Sequence, residues 1–345
     1  MGVPIAKQAD PLGDNVQLDE AVVAKLPPNS KVVSVASERL SHWVKTVKIV
    51  VELEDGSTTE LFKKGASGPT GANMMKGAFE AEQALYDCIP DRVPKPVAWG
   101  TYASDPDTHF YLCEFVEMYD EIPRANDWAT AVSALHLASK GKSPTGQFGF
   151  HVTTHLANVP VDNSWNSSWK AFWAQQMKSL FNREESVNGN DETLEELRAA
   201  YFEKAIPRYL GPLESEGRSV TPCLLHSDLW PGNIKPRMAT GELCLFDACV
   251  YWGHNEADLA ICYNPRYKLG QPVLEEYKSL VPPSEPGADF YERNALYAMK
   301  YHVLLSIIYS DSSSFREKLM EELKLLLGKL DFDPSVSKPD GTARL

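Results

Sequence analysis

A chain of 345 residues with 43% hydrophobic and 10% aromatic side chains has enough apolar surface for one large two-lobed domain or two ordinary ones, which excludes wholesale disorder. The formal net charge of −13 repels a phosphate backbone, so nucleic acid is a poor partner, and a bound nucleotide would need local positive charge from a lysine or two and a metal ion. The six cysteines form no CxxC pair and fit reduced, buried thiols in a cytoplasmic setting, and no run of about 18 apolar residues could span a membrane.

Residues 1–30 are polar or proline-punctuated and end in Pro27-Pro28-Asn29-Ser30, so they read as a leader; they lack the charged-then-apolar order of a secretory signal. Val44, Val47, Ile49 and Val51 predict a strand, Asp55-Gly56 a hairpin turn, and Thr58 to Phe62 the returning strand. The stretch from Gly65 to Gly77 is glycine-rich but fails the G-x-x-x-x-G-K-[ST] phosphate-loop pattern, so it reads as a flexible connection. A helix is expected over Ala78–Tyr86, then short strands around Trp99 and Phe110–Phe115. The chain changes character near residue 116. Helices are expected at 127–139, 167–182, 191–208, 255–263, 290–309 and 314–330. The organisation is therefore α+β: a β-rich lobe over 31–116 and a larger, mainly helical lobe over 117–345. The final Ala343-Arg344-Leu345 is a loose variant of a peroxisomal address, a minor alternative to the cytoplasm.

The segment His226-Ser227-Asp228-Leu229-Trp230-Pro231-Gly232-Asn233 places His, Asp, Leu and Asn at the offsets of the kinase H-R-D-L-x-x-x-N loop. The spacing has a purpose. Asp228 is placed to accept the proton of an attacking hydroxyl, and Asn233 to hold a metal on the other side of the transferring phosphoryl group. Leu243-Cys244-Leu245-Phe246-Asp247 is an apolar run ending in one acid, 14 residues after Asn233. That distance suits a short hairpin returning Asp247 to the same site as a second metal ligand. Asp258 either braces this loop from behind or caps a helix.

A kinase also needs a lysine that touches the phosphates and a helix glutamate that holds it. Phe62-Lys63-Lys64 ends a predicted strand. Lys63 and Lys64 alternate sides, and Lys64 is the candidate. Glu82 lies on the apolar stripe of the next helix, where a carboxylate is costly unless paired, so Lys64–Glu82 is the expected ion pair. The nucleotide loop is expected near Ser37 to Ser41, both candidate nucleotide contacts, and it has no glycine. Glu114, in the strand before the lobe boundary, is a further candidate contact. His151 and His155 have the spacing of a zinc pair without the HExxH pattern, which argues against metal there.

These segments together resemble the fructosamine kinase (ketosamine-3-kinase) family, grouped with aminoglycoside and choline kinases. Leu225-His226-x-Asp228-Leu229-Trp230-x-Gly232-Asn233 is similar to the family's L-H-G-D-L-W-x-G-N, and Phe246-Asp247 through Tyr251, Gly253-His254, Glu256 and Asp258-Leu259-Ala260 to its downstream block. Phe148-Gly149-Phe150-His151, Asn163-Ser164-Trp165, Trp169, Phe172-Trp173 and Phe79-Glu80-Ala81-Glu82 resemble further family segments. Ser227 stands where the family has glycine, and Ala248-Cys249 where it has Pro-Ala. The resemblance implies a two-lobed protein-kinase-like fold, ATP and Mg²⁺, and phosphorylation of the 3-hydroxyl of a ketosamine on a lysine amine. It implies Asp228 as base, Asn233 and Asp247 as Mg²⁺ ligands, and Lys64 with Glu82 as the pair that positions the phosphates. Trp230 offers an apolar aromatic face that suits a sugar ring, and with His226 and His254 it is a candidate substrate contact. The alternatives are a kinase of another small hydroxyl compound and a nucleotide-binding pseudokinase.

Overall fold

The computed structural model describes residues 17–37 and 44–330. A short helix, α1 (Glu20–Val23), precedes three strands, β1 (Lys31–Ser37), β2 (Lys45–Glu52) and β3 (Thr58–Ser67). Helix α2 (Gly68–Cys88) then crosses to β4 (Pro96–Thr101) and β5 (Thr108–Glu114). The five strands form one antiparallel sheet in the order β1-β2-β3-β5-β4. The Asp55-Gly56 turn joins β2 to β3 as expected. Gly56 takes φ +79°, and the Asp55 carboxylate accepts from the Ser57 amide.

Strand alternation divides the sheet into two faces. Val35, Val47, Ile49, Val51, Leu61, Phe110 and Leu112 pack on one face with Val22 of α1. Asp19 caps α1 and also accepts from the Ser104 hydroxyl and the amides of Ala103 and Ser104. Within the stretch read as a leader, residues 17–30 are thus fastened to the sheet. The other face packs under α2 through Met75, Tyr111 and Cys113.

The glycine-rich stretch is not a flexible connection. It forms the end of β3 and the first half of α2. Gly68 at φ +80° makes the turn, and Pro69 starts the helix. A Cβ on Gly71 would lie 2.7 Å from the Ala66 carbonyl carbon, and one on Gly77 would lie 2.5 Å from the Thr153 carbonyl oxygen. These glycines let backbones approach each other.

The second part is mainly helical: α3 (Ala125–Ser139), α4 (Trp169–Asn188), α5 (Glu192–Ala200), α6 (Ile206–Leu210), α7 (Gly270–Leu280), α8 (Phe290–Ile308) and α9 (Ser313–Gly328). The segment expected as one helix over 191–208 is α5 and α6 joined by a π turn at Tyr201–Ala205, and 255–263 is a 3₁₀ helix. Helix α7 was not anticipated; Gly270 and Pro272 mask its start. Between these helices run short strand pairs: β6 (His155–Leu156) with β7 (Val159–Pro160), β8 (Cys223–Leu225) with β11 (Tyr251–Gly253), and β9 (Ile234–Pro236) with β10 (Leu243–Leu245). The β8–β11 and β9–β10 pairs carry the loop from His226 to Asn233 and the turn at Asp247. Among the described residues no helix is long and apolar enough to cross a membrane.

Candidate active site

The β9–β10 hairpin brings Asn233 and Phe246 together, the Phe246 amide donating to the Asn233 carbonyl at 3.1 Å. This places Asp247 beside the His226–Asn233 loop. The Asn233 side-chain amide donates to the Asp228 carboxylate at 2.9 Å, to the Asp228 carbonyl at 3.0 Å and to the Asp247 carbonyl at 3.3 Å. Its donors are committed, and its Oδ1 accepts no hydrogen bond among the described residues. From β3, the Lys64 ammonium reaches the Asp247 carboxylate at 2.5 Å. Lys63 takes the opposite face of β3, as strand alternation requires, and bonds the Tyr102 hydroxyl at 2.7 Å. Thus Lys64, Asp228, Asn233 and Asp247 converge on one point.

The expected Lys64–Glu82 pair is replaced by a different arrangement. Glu82 is buried on α2, accepts the Tyr111 hydroxyl at 2.7 Å and accepts the Asp247 backbone amide at 2.9 Å. Lys64 turns to the Asp247 side chain instead. The glutamate therefore fixes the backbone of the acid that holds the lysine.

The charges follow from this packing. Burial lowers the Lys64 pKa, but the carboxylates of Asp247 and Glu82 outweigh it and the net shift is upward. The Lys64 ammonium holds the Asp247 carboxyl below the usual range. Burial raises the Glu82 carboxyl, with Lys64 and the Tyr111 hydroxyl opposing. Burial, then the Asp247 charge, raises Asp228 to about 7, against the pull of Lys300 and Asn233.

The loop is braced from behind by Asp258, which is buried rather than an exposed cap. Its carboxylate accepts the amides of His226 at 2.8 Å and Ser227 at 2.6 Å, and it lies 3.1 Å from His136 Nε2. Ser227 has φ +63° and Asp247 φ +58°, so two non-glycine residues in the left-handed region flank the site.

Two expected substrate contacts are overturned. His226 is buried, with Nε2 against the Phe246 carbonyl at 3.1 Å and Nδ1 accepting the Asp228 amide at 3.3 Å, so it shapes the loop. His254 is buried among α8 residues, with Nδ1 on the Tyr297 hydroxyl and Nε2 on the Ser284 hydroxyl, both at 2.8 Å. Trp230 is 43% exposed, and its ring lies so close over Gly232 that a Cβ there would meet it at 2.1 Å. The Glu114 side chain turns to the Lys95 amide at 3.1 Å. Ser37 ends β1 opposite Val47, which in turn pairs with Lys63. Ser41 and Ala343-Arg344-Leu345 lie outside the described residues. His151 bonds Glu80 at 2.9 Å.

The family model of fructosamine kinases matches residues 46–327. The chain belongs to the fructosamine kinase family. A chloroplastic protein-ribulosamine 3-kinase of Oryza sativa subsp. japonica is 28% identical over 238 residues, covering 69% of this chain and 64% of the relative, so the match spans less than two thirds of that protein. A crystal structure of a candidate fructosamine-3-kinase from Thermobifida fusca superposes with a TM-score of 0.66 at 22% identity, covering 89% of this chain and 98% of that one. Aminoglycoside phosphotransferase APH(4)-Ia, solved with AMP-PNP and hygromycin B, superposes with a TM-score of 0.59 at 10% identity, covering 90% and 98%. These structures establish the protein-kinase-like fold.

In this fructosamine kinase family member, Lys300 and Tyr301 of α8 escaped sequence reasoning. The buried Lys300 ammonium donates to the Ser227 hydroxyl at 2.6 Å and lies 4.6 Å from the Tyr251 ring centre; the Tyr301 hydroxyl donates to the Ser227 carbonyl at 3.0 Å. The available signal was a lysine in the Leu296–Leu304 stretch of a largely apolar helix, where a buried charge needs a partner.

Proposed function

We propose that the protein is an ATP- and Mg²⁺-dependent ketosamine 3-kinase, transferring the γ-phosphoryl group to the 3-hydroxyl of a ribulosamine or fructosamine on a lysine amine. The phosphorylated sugar then eliminates and frees the amine. The nucleotide would lie between residues 31–116 and residues 117–345. The convergence of Lys64, Asp228, Asn233 and Asp247 carries this reading. Family membership and the activity named for the rice relative narrow the substrate class.

Asp228 takes the proton of the acceptor hydroxyl as that oxygen attacks phosphorus, a task suited to a carboxylate whose pKa lies near neutrality. Lys64 holds the phosphates against the lobe that carries Asp228, and Glu82 keeps Asp247 in register through its amide. The donor set fits Mg²⁺: the uncommitted Asn233 Oδ1 and the Asp247 carboxylate are hard oxygens. Among the described residues no three His, Cys, Asp or Glu side chains group to hold a metal alone, which accords with an ion completed by phosphate and water. When bound, Mg²⁺ neutralises charge on the β- and γ-phosphates.

Phosphoryl transfer from Mg-ATP to ribulosyl-lysine or fructosyl-lysine is the test, run beside Asp228→Asn. The wild type should transfer phosphate, and the variant should lose at least about a hundredfold. Equal rates would remove Asp228 from its role; no transfer by either would overturn the reading.

A further inference from the structure

Ser227 stands at φ +63° immediately before Asp228, and each of its polar atoms is held by a different buried side chain. Its amide donates to Asp258 Oδ1 at 2.6 Å, its carbonyl accepts from the Tyr301 hydroxyl at 3.0 Å, and its hydroxyl accepts from the Lys300 ammonium at 2.6 Å. Left-handed backbone is costly for a residue with a β-carbon, so the turn persists because its surroundings over-determine it.

Helix α8 carries two buried cations, Arg293 and Lys300, and they are satisfied differently. Arg293 takes the Glu256 carboxylate through two bonds, at 2.6 and 3.0 Å. No carboxylate among the described residues forms an ion pair with Lys300. Its ammonium goes instead to the Ser227 hydroxyl and to the Tyr251 hydroxyl at 3.3 Å, and it lies 4.6 Å from the Tyr251 ring centre. Tyr251 of β11 pairs with Leu225 of β8, the residue before His226. A buried ammonium is costly to hold, and hydroxyls and a ring repay that cost less fully than a carboxylate would. The charge of Lys300 is thus directed at the loop that carries Asp228 and at the strand pair that delivers it.

The Asp228 side chain has a single tether. Its Oδ2 accepts from the Asn233 amide at 2.9 Å, and its Oδ1 accepts no hydrogen bond among the described residues. The direction of the carboxylate is therefore set by that amide and by the turn that precedes it. We infer that Lys300 is a positioning residue of the phosphoryl transfer: through the Ser227 hydroxyl it fixes the turn that aims Asp228 Oδ1 at the acceptor hydroxyl. The inference rests on the kinase reading above and adds to it a residue on a distant helix. A base displaced by about 1 Å loses about a hundredfold in rate, so a loosened turn acts on kcat and leaves nucleotide binding alone.

The experiment uses two single variants of the full chain and their double. Lys300→Met keeps most of the volume without the charge, and Ser227→Ala keeps the β-carbon and the left-handed φ but deletes the hydroxyl. Steady-state transfer from Mg-ATP to ribulosyl-lysine is measured beside thermal melting. Each single variant should lose at least about tenfold in kcat while the KM for Mg-ATP stays within about twofold. The double variant should be no slower than the slower single one, because both substitutions cut the same link. Lys300→Met should melt within a few degrees of the wild type, since an apolar side chain replaces a buried charge, so its loss of rate does not follow from unfolding. An unchanged kcat in either folded variant, losses that multiply in the double variant, or a fall in kcat matched by a rise in the KM for Mg-ATP would overturn the role of Lys300. Should Lys300→Met not melt cooperatively, the kcat and KM of Ser227→Ala decide alone; if neither variant does, Lys300 supports the fold at large and the inference fails. In each of these cases transfer by the wild type leaves the kinase reading standing, whereas no transfer by the wild type overturns both.

Discussion

At the residue scale, the proton affinity of Asp228 is set by its surroundings. Burial and Asp247 raise it; Lys300 and the Asn233 amide lower it; the balance is about 7. A base must be ionised to act, so kcat/KM should rise with pH along a single-proton limb and level off once Asp228 is deprotonated. The midpoint should fall at or below about 7, because a bound divalent cation favours the carboxylate. Steady-state rates from pH 5 to 8.5 measure this, and a flat profile down to pH 5 would contradict an Asp228 near neutrality. The Asp-x-x-x-x-Asn spacing was legible because it is local. The partner of Ser227 was not: Lys300 lies 73 residues away, and only folding brings its ammonium to that hydroxyl. His226 and His254 were misread for the same reason, since a motif position does not say which way a ring points.

At the element scale the instructive case is α2. Glycine and proline at 65–77 read as loop because both punctuate helices when viewed alone. The tertiary contact reverses that reading, since Gly77 presses its backbone on the Thr153 carbonyl and only a hydrogen fits there. Two effects of Gly77→Ala oppose each other. Alanine favours a helix interior by up to about 1 kcal/mol, while overpacking against a backbone atom costs about 1–3 kcal/mol. A Cβ 2.5 Å from a carbonyl oxygen cannot be relieved by a side-chain rotation, so the clash wins. Gly77→Ala should lower the melting temperature by a few degrees, and kcat should fall with it, because α2 carries Glu82 to the Asp247 amide. Gly328→Ala, with nothing within 4 Å, is the control and should be neutral or stabilising. An unchanged melting temperature in Gly77→Ala would show that α2 and the Thr153 segment part easily. The short strands β8 to β11 were legible mainly through the motifs they flank, for three residues carry little periodicity of their own.

At the scale of the whole molecule, strands first and helices after were readable from β-branched runs giving way to helical spacing. The apolar core of the helical part, built around Trp169, Phe172, Trp173 and Tyr297, was readable only as an apolar total, not as an arrangement. That core encloses polar groups satisfied across long distances, and they tie stability to pH. His254 is 1% exposed, bonded on both nitrogens, and its pKa is lowered from 6.5 to about 4 by burial first, with Arg293 and His136 adding against Glu256. The unfolded chain therefore binds more protons than the native one between those two values. Stability from this residue is fully present above pH 6.5 and declines as pH falls toward 4, by about 3 kcal/mol at 1.36 kcal/mol per unit. Asp228 works in the opposite sense, because its native pKa of about 7 exceeds its ordinary value of 3.8 and acid favours its folded form. Wild-type melting alone thus mixes two opposed slopes, and the difference between wild type and His254→Asn isolates one. The variant should be less stable at pH 7, where it loses bonds to Tyr297 and Ser284, and the gap should narrow steadily between pH 6.5 and 4. Denaturant midpoints across that range are the measurement. A gap that stays constant with pH would mean that His254 carries the same proton in the folded and unfolded chain, contrary to its burial between two hydroxyl groups.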